Sequence, residues 1–203
     1  MRRVIVMERL NEPMRPLRAS AQEVIDTAWL MPELQHLLDA GLCVDNEGVY
    51  FTSTLANSAH LRTPSLGQTR HELLVNTLHL AELIDSPFAD WDTYCVGQGV
   101  LLARRVLSCV ARLTQLPVLV SLSVEGGSTE ERPPVTFSFF VSRAADPLLS
   151  EDLDAFEQPM LVLRQAAASA RVNHGHRADG ISHSRPEGRA NLRAMNRRPG
   201  HRR

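Results

Sequence analysis

The chain has 203 residues, of which 43% are hydrophobic and 22% are charged, close to the usage of ordinary globular proteins. This composition excludes a wholly disordered polymer, and the length suits one domain with a substantial core. The longest apolar runs are far shorter than the roughly 20 residues that span a bilayer, so we expect no membrane helix and no membrane partner.

Charge is distributed unevenly along the chain. Residues 1–165, called the body, carry 13 arginines and 21 acidic residues, whereas residues 166–203, called the tail, carry 9 arginines and 2 acidic residues. All 22 basic residues are arginine, so the chain is free of lysine. An acidic body repels nucleic-acid phosphate and attracts a basic protein surface.

The tail is rich in Arg, His, Gly and Ser and has few large apolar side chains. Because it cannot bury enough surface to offset its ordering entropy, we expect it to be disordered. Its histidines, at 174, 176, 183 and 201, fit no established ligand spacing, so no metal site is predicted. Through charge alone the tail is the one part of the chain suited to nucleic acid.

The body, residues 1–165, is interpreted as a single domain. We expect residues 1–18 to be poorly ordered or to precede the true start, since Met7 and Met14 are alternative starts and no signal core develops. The three cysteines, Cys43, Cys95 and Cys109, are odd in number and widely spaced. This pattern favours reduced thiols in a cytoplasmic protein over a disulfide framework.

The first half of the body predicts two helices and a hairpin. Ser20-Ala21-Gln22-Glu23 has the pattern of a capping box, so a helix of about ten residues is expected to follow. Pro32 opens a second helix that stops at Gly41, and segments 42–44 and 49–52 flank a turn-forming tetrad. Helix, strand, turn and strand together resemble the closing part of a winged-helix DNA-binding domain, which implies nucleic-acid binding as an alternative.

The apolar spacing between Thr69 and Leu83 predicts one helix packed on one side. His71-Glu72 begins like a zinc-protease helix, but Val75 stands where the second histidine is required. An aromatic and acidic loop follows, and rigid aromatics beside acids are suited to anchoring a basic partner. The predicted partner-binding residues are Phe88, Asp90, Trp91, Asp92 and Tyr94.

Gly97-Gln98-Gly99 is predicted to be a loop that leads into a long helix, Val100 to Leu113. With the strand Val118 to Val124, this stretch resembles the acyl-coenzyme A binding segment of the GNAT acetyltransferases. In that family, loop amides at a helix start hold the pyrophosphate. The resemblance implies Gly97, Gln98 and Gly99 as cofactor-binding residues of an acyl-CoA-dependent transferase, although Tyr94 stands where the family motif has Gln or Arg.

Alternation of apolar and polar residues in 118–124 and 135–141 predicts two antiparallel strands with one apolar face against helices. Ser150-Glu151-Asp152 is expected to start a last helix that Pro159 ends, and Met160 to Leu163 is expected to add a strand. The predicted fold class is therefore α+β, with an antiparallel sheet of four or five strands, helices packed on one face and a disordered C-terminal tail.

No catalytic set can be distinguished from scatter in the sequence. The preferred hypothesis is a non-catalytic protein-binding module of the inhibitor, toxin-neutralising or secretion-chaperone type, acting through an acidic surface and needing no cofactor. The alternatives are the acyl-CoA-dependent transferase and a nucleic-acid binder that uses the tail or the winged-helix-like half. The sequence indicates no particular oligomeric state.

Overall fold

The structure, a computed structural model, describes residues 6–45, 48–58, 67–84, 90–126, 133–143 and 152–165. The strands are β1 (Val6–Leu10), β2 (Leu42–Val44), β3 (Val49–Phe51), β4 (Leu78–His79), β5 (Val118–Val124), β6 (Val135–Val141) and β7 (Met160–Gln165). The helices are α1 (Met14–Ser20), α2 (Gln22–Thr27), α3 (Pro32–Asp39), α4 (Thr52–Asn57), α5 (Gln68–Asn76), α6 (Leu80–Leu83) and α7 (Trp91–Leu113). A short 3₁₀ turn covers Leu153–Ala155.

Five strands form the main sheet, in the order β1-β7-β5-β6-β4, and every neighbouring pair is antiparallel. Strands β2 and β3 pair as a separate antiparallel hairpin. The α+β class, the five-stranded antiparallel sheet and the helices on one face confirm the fold expected from the sequence. The predicted strands at 118–124 and 135–141 have the bounds of β5 and β6.

The apolar face of β5 shows why the alternation was informative. Val118, Val120, Leu122 and Val124 are buried, whereas the residues between them are half-buried. Val120 lies opposite Phe139 of β6 and Leu163 of β7, and all three side chains belong to the core. Period-two burial places one face of the sheet against a helix, as a two-layer packing requires.

Helix α7 is the central helix of the fold. It packs against β5, β6 and β7 on one side and against α1, α2 and α3 on the other. The helix begins at Trp91, so the expectation that it starts at Val100 after a glycine loop was wrong. Its 23 residues give it a length of about 35 Å at 1.5 Å per residue, enough to cross the whole sheet.

The N-terminal expectations also need correction. Residues 1–18 were expected to be poorly ordered, but within them lie β1 and most of α1, and β1 pairs with β7 at the edge of the sheet. Ser20 ends α1 instead of capping a helix, and Ala21 precedes α2 with no side-chain cap. Burial of Met14 and Ala21 in the core explains why this segment is held in place.

The lengths predicted for two other helices exceed those in the structure. The expected helix over 69–83 stops at Asn76, and Leu78 and His79 pair with Phe137 and Thr136 of β6 before a short helix resumes. Backbone pairing with β6 outweighs the helical apolar spacing here. The last expected helix is reduced to the 3₁₀ turn, whereas Met160–Gln165 does form a strand.

Some expectations lie outside the described residues. They include the disorder of the tail, the contact role of Phe88 and the start of the last helix at residues 150–151. Among the helices that the structure describes, none combines the length and the apolar character needed to cross a bilayer.

Candidate functional site

A groove of about 500 Å³ lies between α2 and the N-terminal end of α7. Its lining residues are Ser20, Glu23, Val24, Thr27, Ala28, Asp90, Thr93 and Tyr94. The volume falls in the range of roughly 300–1,000 Å³ that is typical of ligand-binding clefts. We call this feature the α2–α7 groove.

Two of the described residues that line the groove are charged, Glu23 and Asp90, and both are acidic. Glu23 lies in the first turn of α2, Asp90 immediately precedes α7, and both are exposed to solvent. Val24 and Ala28 are half-buried and supply apolar surface to the same groove. The groove therefore offers negative charge around an apolar floor, a combination suited to a cationic side chain with an aliphatic stem.

The tyrosine that lines the groove is fixed by a polar network behind it. The Tyr94 hydroxyl donates a hydrogen bond to Met31 Sδ at 3.0 Å and accepts one from Gln98 Nε2 at 3.3 Å. Burial, followed by the charge of the neighbouring Cys95, raises the pKa of the Tyr94 phenol above its ordinary value. The phenol thus remains neutral, and the side chain lines the groove.

Gln98 also holds the segment that joins α2 to α3. Its Oε1 accepts a hydrogen bond from the backbone N–H of Met31 at 2.9 Å, and its Nε2 donates one to the carbonyl of Trp29 at 3.1 Å. The Gln98 side chain is fully buried. Its two bonds fix the backbone on both sides of Leu30, immediately beyond the end of the groove at Ala28.

Trp29 is the most exposed of the large apolar side chains that the structure describes, with 87% of its surface accessible. It follows Ala28 of the groove lining directly in the chain. Tryptophan is enriched among the interface residues that contribute most binding energy. An exposed tryptophan therefore indicates a contact surface. No local pattern indicates this exposure, since Trp29 stands in an apolar run expected to continue a helix.

The structure separates the residues that were predicted to bind a partner. Asp90 and Tyr94 line the α2–α7 groove. Trp91 is only 5% exposed and belongs to the core, so its ring does not meet a partner. Asp92 is half-buried in the first turn of α7, where a carboxylate offsets the positive end of the helix dipole.

Gly97, Gln98 and Gly99 lie inside α7 and are fully buried, so they form no loop at a helix start. A Cβ at residue 97 would lie 2.6 Å from Val24 Cγ1, and one at residue 99 would lie 2.5 Å from Leu122 Cδ2. Each glycine therefore lets α7 approach a neighbour closely, α2 on one side and β5 on the other. Backbone amides within a helix are already bonded, which removes the pyrophosphate cradle that the GNAT resemblance implied.

A second polar cluster surrounds Glu72, which is completely buried in α5. Its Oε1 accepts from the backbone N–H of Val49 at 2.9 Å, and its Oε2 accepts from that of Val141 at 3.2 Å. Arg143 forms an ion pair with the same carboxylate and donates a second bond to Thr69 Oγ1. The chain's own donors occupy both carboxylate oxygens, so the cluster joins β3 to β6 and has a structural role.

His71 lies beside this cluster. Its Nδ1 is 3.4 Å from the Tyr50 hydroxyl, and its Nε2 is buried without a hydrogen-bond partner. The side chain is 6% exposed and packs edge-on against the Tyr50 ring. Within the described residues it meets no group of metal-binding side chains, and its position fits a packed histidine.

Residues 9–173 match the family described as the Uncharacterized protein PM0498 family. The chain matches no curated protein and no solved structure.

Proposed function

The chain belongs to the Uncharacterized protein PM0498 family, since the match covers most of its length, and we propose that it is a non-catalytic protein-binding module that holds a basic segment of a partner in the α2–α7 groove. Inhibitors, toxin-neutralising proteins and secretion chaperones work in this way, by covering a basic or active surface. Cys43, Cys95 and Cys109, all within the described residues, form no disulfide, which is compatible with the cytoplasmic location that we propose for such a protein.

The observation that carries the proposal is the pairing of a cleft with charge of one sign. Glu23 lines the groove from α2 and Asp90 from the residue before α7, and no arginine among the described residues lines it. Both carboxylates are exposed to solvent and so are accessible to a partner. A cationic segment would therefore be attracted from solution and retained by apolar contact with Val24 and Ala28.

Trp29 supports the proposal independently of charge. An indole that is 87% exposed next to a groove provides an aromatic anchor at the rim of the proposed contact surface. The Gln98 bonds to Trp29 and Met31 hold its backbone before binding. Less conformational entropy is then lost when a partner binds.

The test is affinity isolation of partners from the protein's own host at about 0.05 M and about 0.5 M salt, conditions that differ strongly in charge screening. The bait is the full chain, either wild type or with Glu23→Gln and Asp90→Asn together. These substitutions remove charge while preserving size, and asparagine remains a good residue before a helix. We expect one partner to be recovered at low salt with the wild type and lost with the double variant.

The matched control is Glu125→Gln with Glu157→Gln, which removes two exposed carboxylates that do not line the groove. It should recover the same partner as the wild type. Recovery that survives the Glu23 and Asp90 substitutions would overturn the proposal, as would a partner surface that proves acidic.

A further inference from the structure

We infer that two copies of this chain form a twofold-symmetric dimer in which their α7 helices run antiparallel. The basic second half of each α7 covers the acidic α2–α7 groove of the other copy. This inference goes beyond the proposed function, because it assigns a second surface of the chain and a second occupant of the groove. The second copy and a basic partner then compete for the same groove.

The second half of α7 carries a basic strip, which consists of Arg104, Arg105 and Arg112. All three side chains are exposed, and within the described residues none of them forms an ion pair. Arg112 donates a hydrogen bond to Cys109 Sγ at 3.2 Å, which leaves its charge uncompensated. The segment 93–124 contains no acidic residue. The basic strip is therefore a local positive surface on a body in which acidic residues outnumber arginines.

The groove and the basic strip lie on the same side of α7. At 3.6 residues per turn, the groove residues Asp90, Thr93 and Tyr94 fall with the basic strip within about 120° around the helix axis. Along that axis Asp90 lies about 21 Å from Arg104 and about 33 Å from Arg112, at 1.5 Å per residue. One face of a single helix therefore changes from negative to positive along its length.

A face of this kind is complementary to itself when it is reversed. Leu101 is as many residues from Asp90 as from Arg112, and its half-buried side chain lies between the two ends. An antiparallel copy centred on Leu101 brings Arg112 of each copy to Asp90 of the other. Symmetry makes this contact twice, as in an isologous interface. Opposite charges meet at both ends, which favours this arrangement over a parallel one.

Trp29 lies near the centre of the same surface. Its carbonyl accepts a hydrogen bond from Gln98, three residues before Leu101, and its side chain is 87% exposed. The segment between α2 and α3 reaches α7 at Tyr94 and Gln98, whereas the basic strip beyond is uncovered. The covered half of one helix therefore fits beside the uncovered half of the other. Tryptophans close to the centre of an interface contribute much of its binding energy.

The experiment measures self-association of the full chain by analytical ultracentrifugation at about 0.05 M salt, where screening is weak. We expect the wild type to dimerise between about 1 and about 300 μM, a range that covers small interfaces. Asp90→Arg or Arg112→Asp alone places like charges at both contacts, so each should weaken the dimer at least tenfold. An equimolar mixture of these two variants pairs opposite charges at both contacts and should regain the wild-type affinity within about threefold.

The matched control is Arg70→Asp, which reverses an exposed charge on α5 and should leave self-association unchanged. Trp29→Ala should weaken the dimer roughly tenfold. Thermal melting verifies that each variant folds, and Asp90 makes no side-chain cap bond that its replacement would remove.

A wild type that remains monomeric throughout the concentration series would overturn the inference, as would a mixture no more associated than either variant alone. Binding of single-stranded DNA to a monomeric chain, lost with Arg112→Asp, would also overturn it and assign the basic strip to a phosphate-bearing partner. Each of these results leaves the proposed function standing, because that function depends on the groove and on a different partner.

Discussion

The carboxylate of Glu72 lies 2.9 Å from the backbone nitrogen of Val49 and so connects α5 to the hairpin of β2 and β3. The same side chain reaches the backbone nitrogen of Val141 in β6. One buried acid therefore joins the hairpin to the main sheet, at an edge that the two-residue strand β4 leaves uncovered beyond Phe137. Unpaired N–H groups at an edge are costly when buried, which explains why a carboxylate is retained there.

Protonation of Glu72 should make stability depend on pH. Desolvation by burial raises the pKa of Glu72 above its ordinary 4.5, against the opposing effect of the hydrogen bond from Arg143. The folded state then binds this proton more tightly than the unfolded state does. The contribution of Glu72 to stability is fully present below about pH 4.5 and is lost as the pH rises through the raised value.

The measurement is the free energy of unfolding of wild type and Glu72→Gln, by urea titration at a series of pH values from 4 to 8. Glutamine has a similar size but does not titrate, so the difference between the two proteins isolates this proton. The free energy of unfolding of the wild type should increase relative to that of the variant as the pH falls. A difference in unfolding free energy that stays constant with pH would contradict the expectation. The control is Glu82→Gln, which removes an exposed carboxylate on α6.

Asn76, one helical turn after Glu72, also bonds to backbone groups of both the hairpin and the main sheet. Its Oδ1 accepts from the N–H of Phe51, and its Nδ2 donates to the carbonyls of Val49 and Phe139. Asn76→Leu fills similar space but leaves three backbone groups buried without partners, each costing about 1–3 kcal/mol. Urea unfolding should show a loss of several kcal/mol, and a loss below about 1 kcal/mol would refute this role.

Gln35 offers the matched comparison for that substitution. It also lies on a helix and donates a side-chain hydrogen bond, to Asp39 at 2.8 Å, but that bond is exposed. Gln35→Leu should change stability by less than about 0.5 kcal/mol, because water replaces the lost partner.

The parts of the fold that the sequence predicted are those set by local pattern. Alternation over residues 118–124 and 135–141 defined β5 and β6, because a strand with one buried face must repeat every second residue. The hairpin of β2 and β3 followed from a turn-forming tetrad between two short apolar runs. These signals depend only on neighbouring residues and needed no knowledge of the rest of the chain.

The candidate site could not be predicted, because it depends on which helices meet. Asp90 and Tyr94 were identified from their place beside aromatics, but Glu23 was assigned to a cap, and the exposure of Trp29 has no local signal. Gly97 and Gly99 indicate a phosphate loop as readily as a close helix contact. Only the position of α2 and β5 on either side of α7 distinguishes the two interpretations.

Replacing Gly97 with alanine should destabilise the fold, although alanine has a higher helix propensity than glycine. An alanine Cβ would lie 2.6 Å from Val24 Cγ1 and 2.7 Å from Val24 Cβ, so α2 must move. Overpacking of this kind costs about 1–3 kcal/mol, which outweighs the gain of about 1 kcal/mol in helix propensity. Gly97→Ala should therefore lower the melting temperature, as measured by circular dichroism.

A second substitution separates the contact from other effects of Gly97→Ala. Val24→Ala removes Cγ1 but keeps the Cβ that the new side chain would meet at 2.7 Å, so the double variant should recover only part of the loss. Ser108→Ala, at an exposed position of the same helix, should be neutral or slightly stabilising. Additive losses in the double variant would show that Val24 is not the obstacle.

Gln98 should affect partner binding although it lies behind the groove. Gln98→Leu keeps the volume of the side chain but removes its bonds to Met31 and Trp29, which frees the segment that carries the exposed indole. Exchange of the Met31 amide hydrogen with solvent should accelerate by about five- to thirteenfold, since a bond worth about 1–1.5 kcal/mol protects it. Affinity for a basic partner should fall even though no contact residue has changed, because the segment must then be ordered during binding. If exchange is faster but affinity is unchanged, Trp29 contributes to partner binding without a fixed backbone. If exchange is unchanged, Gln98 does not hold the segment.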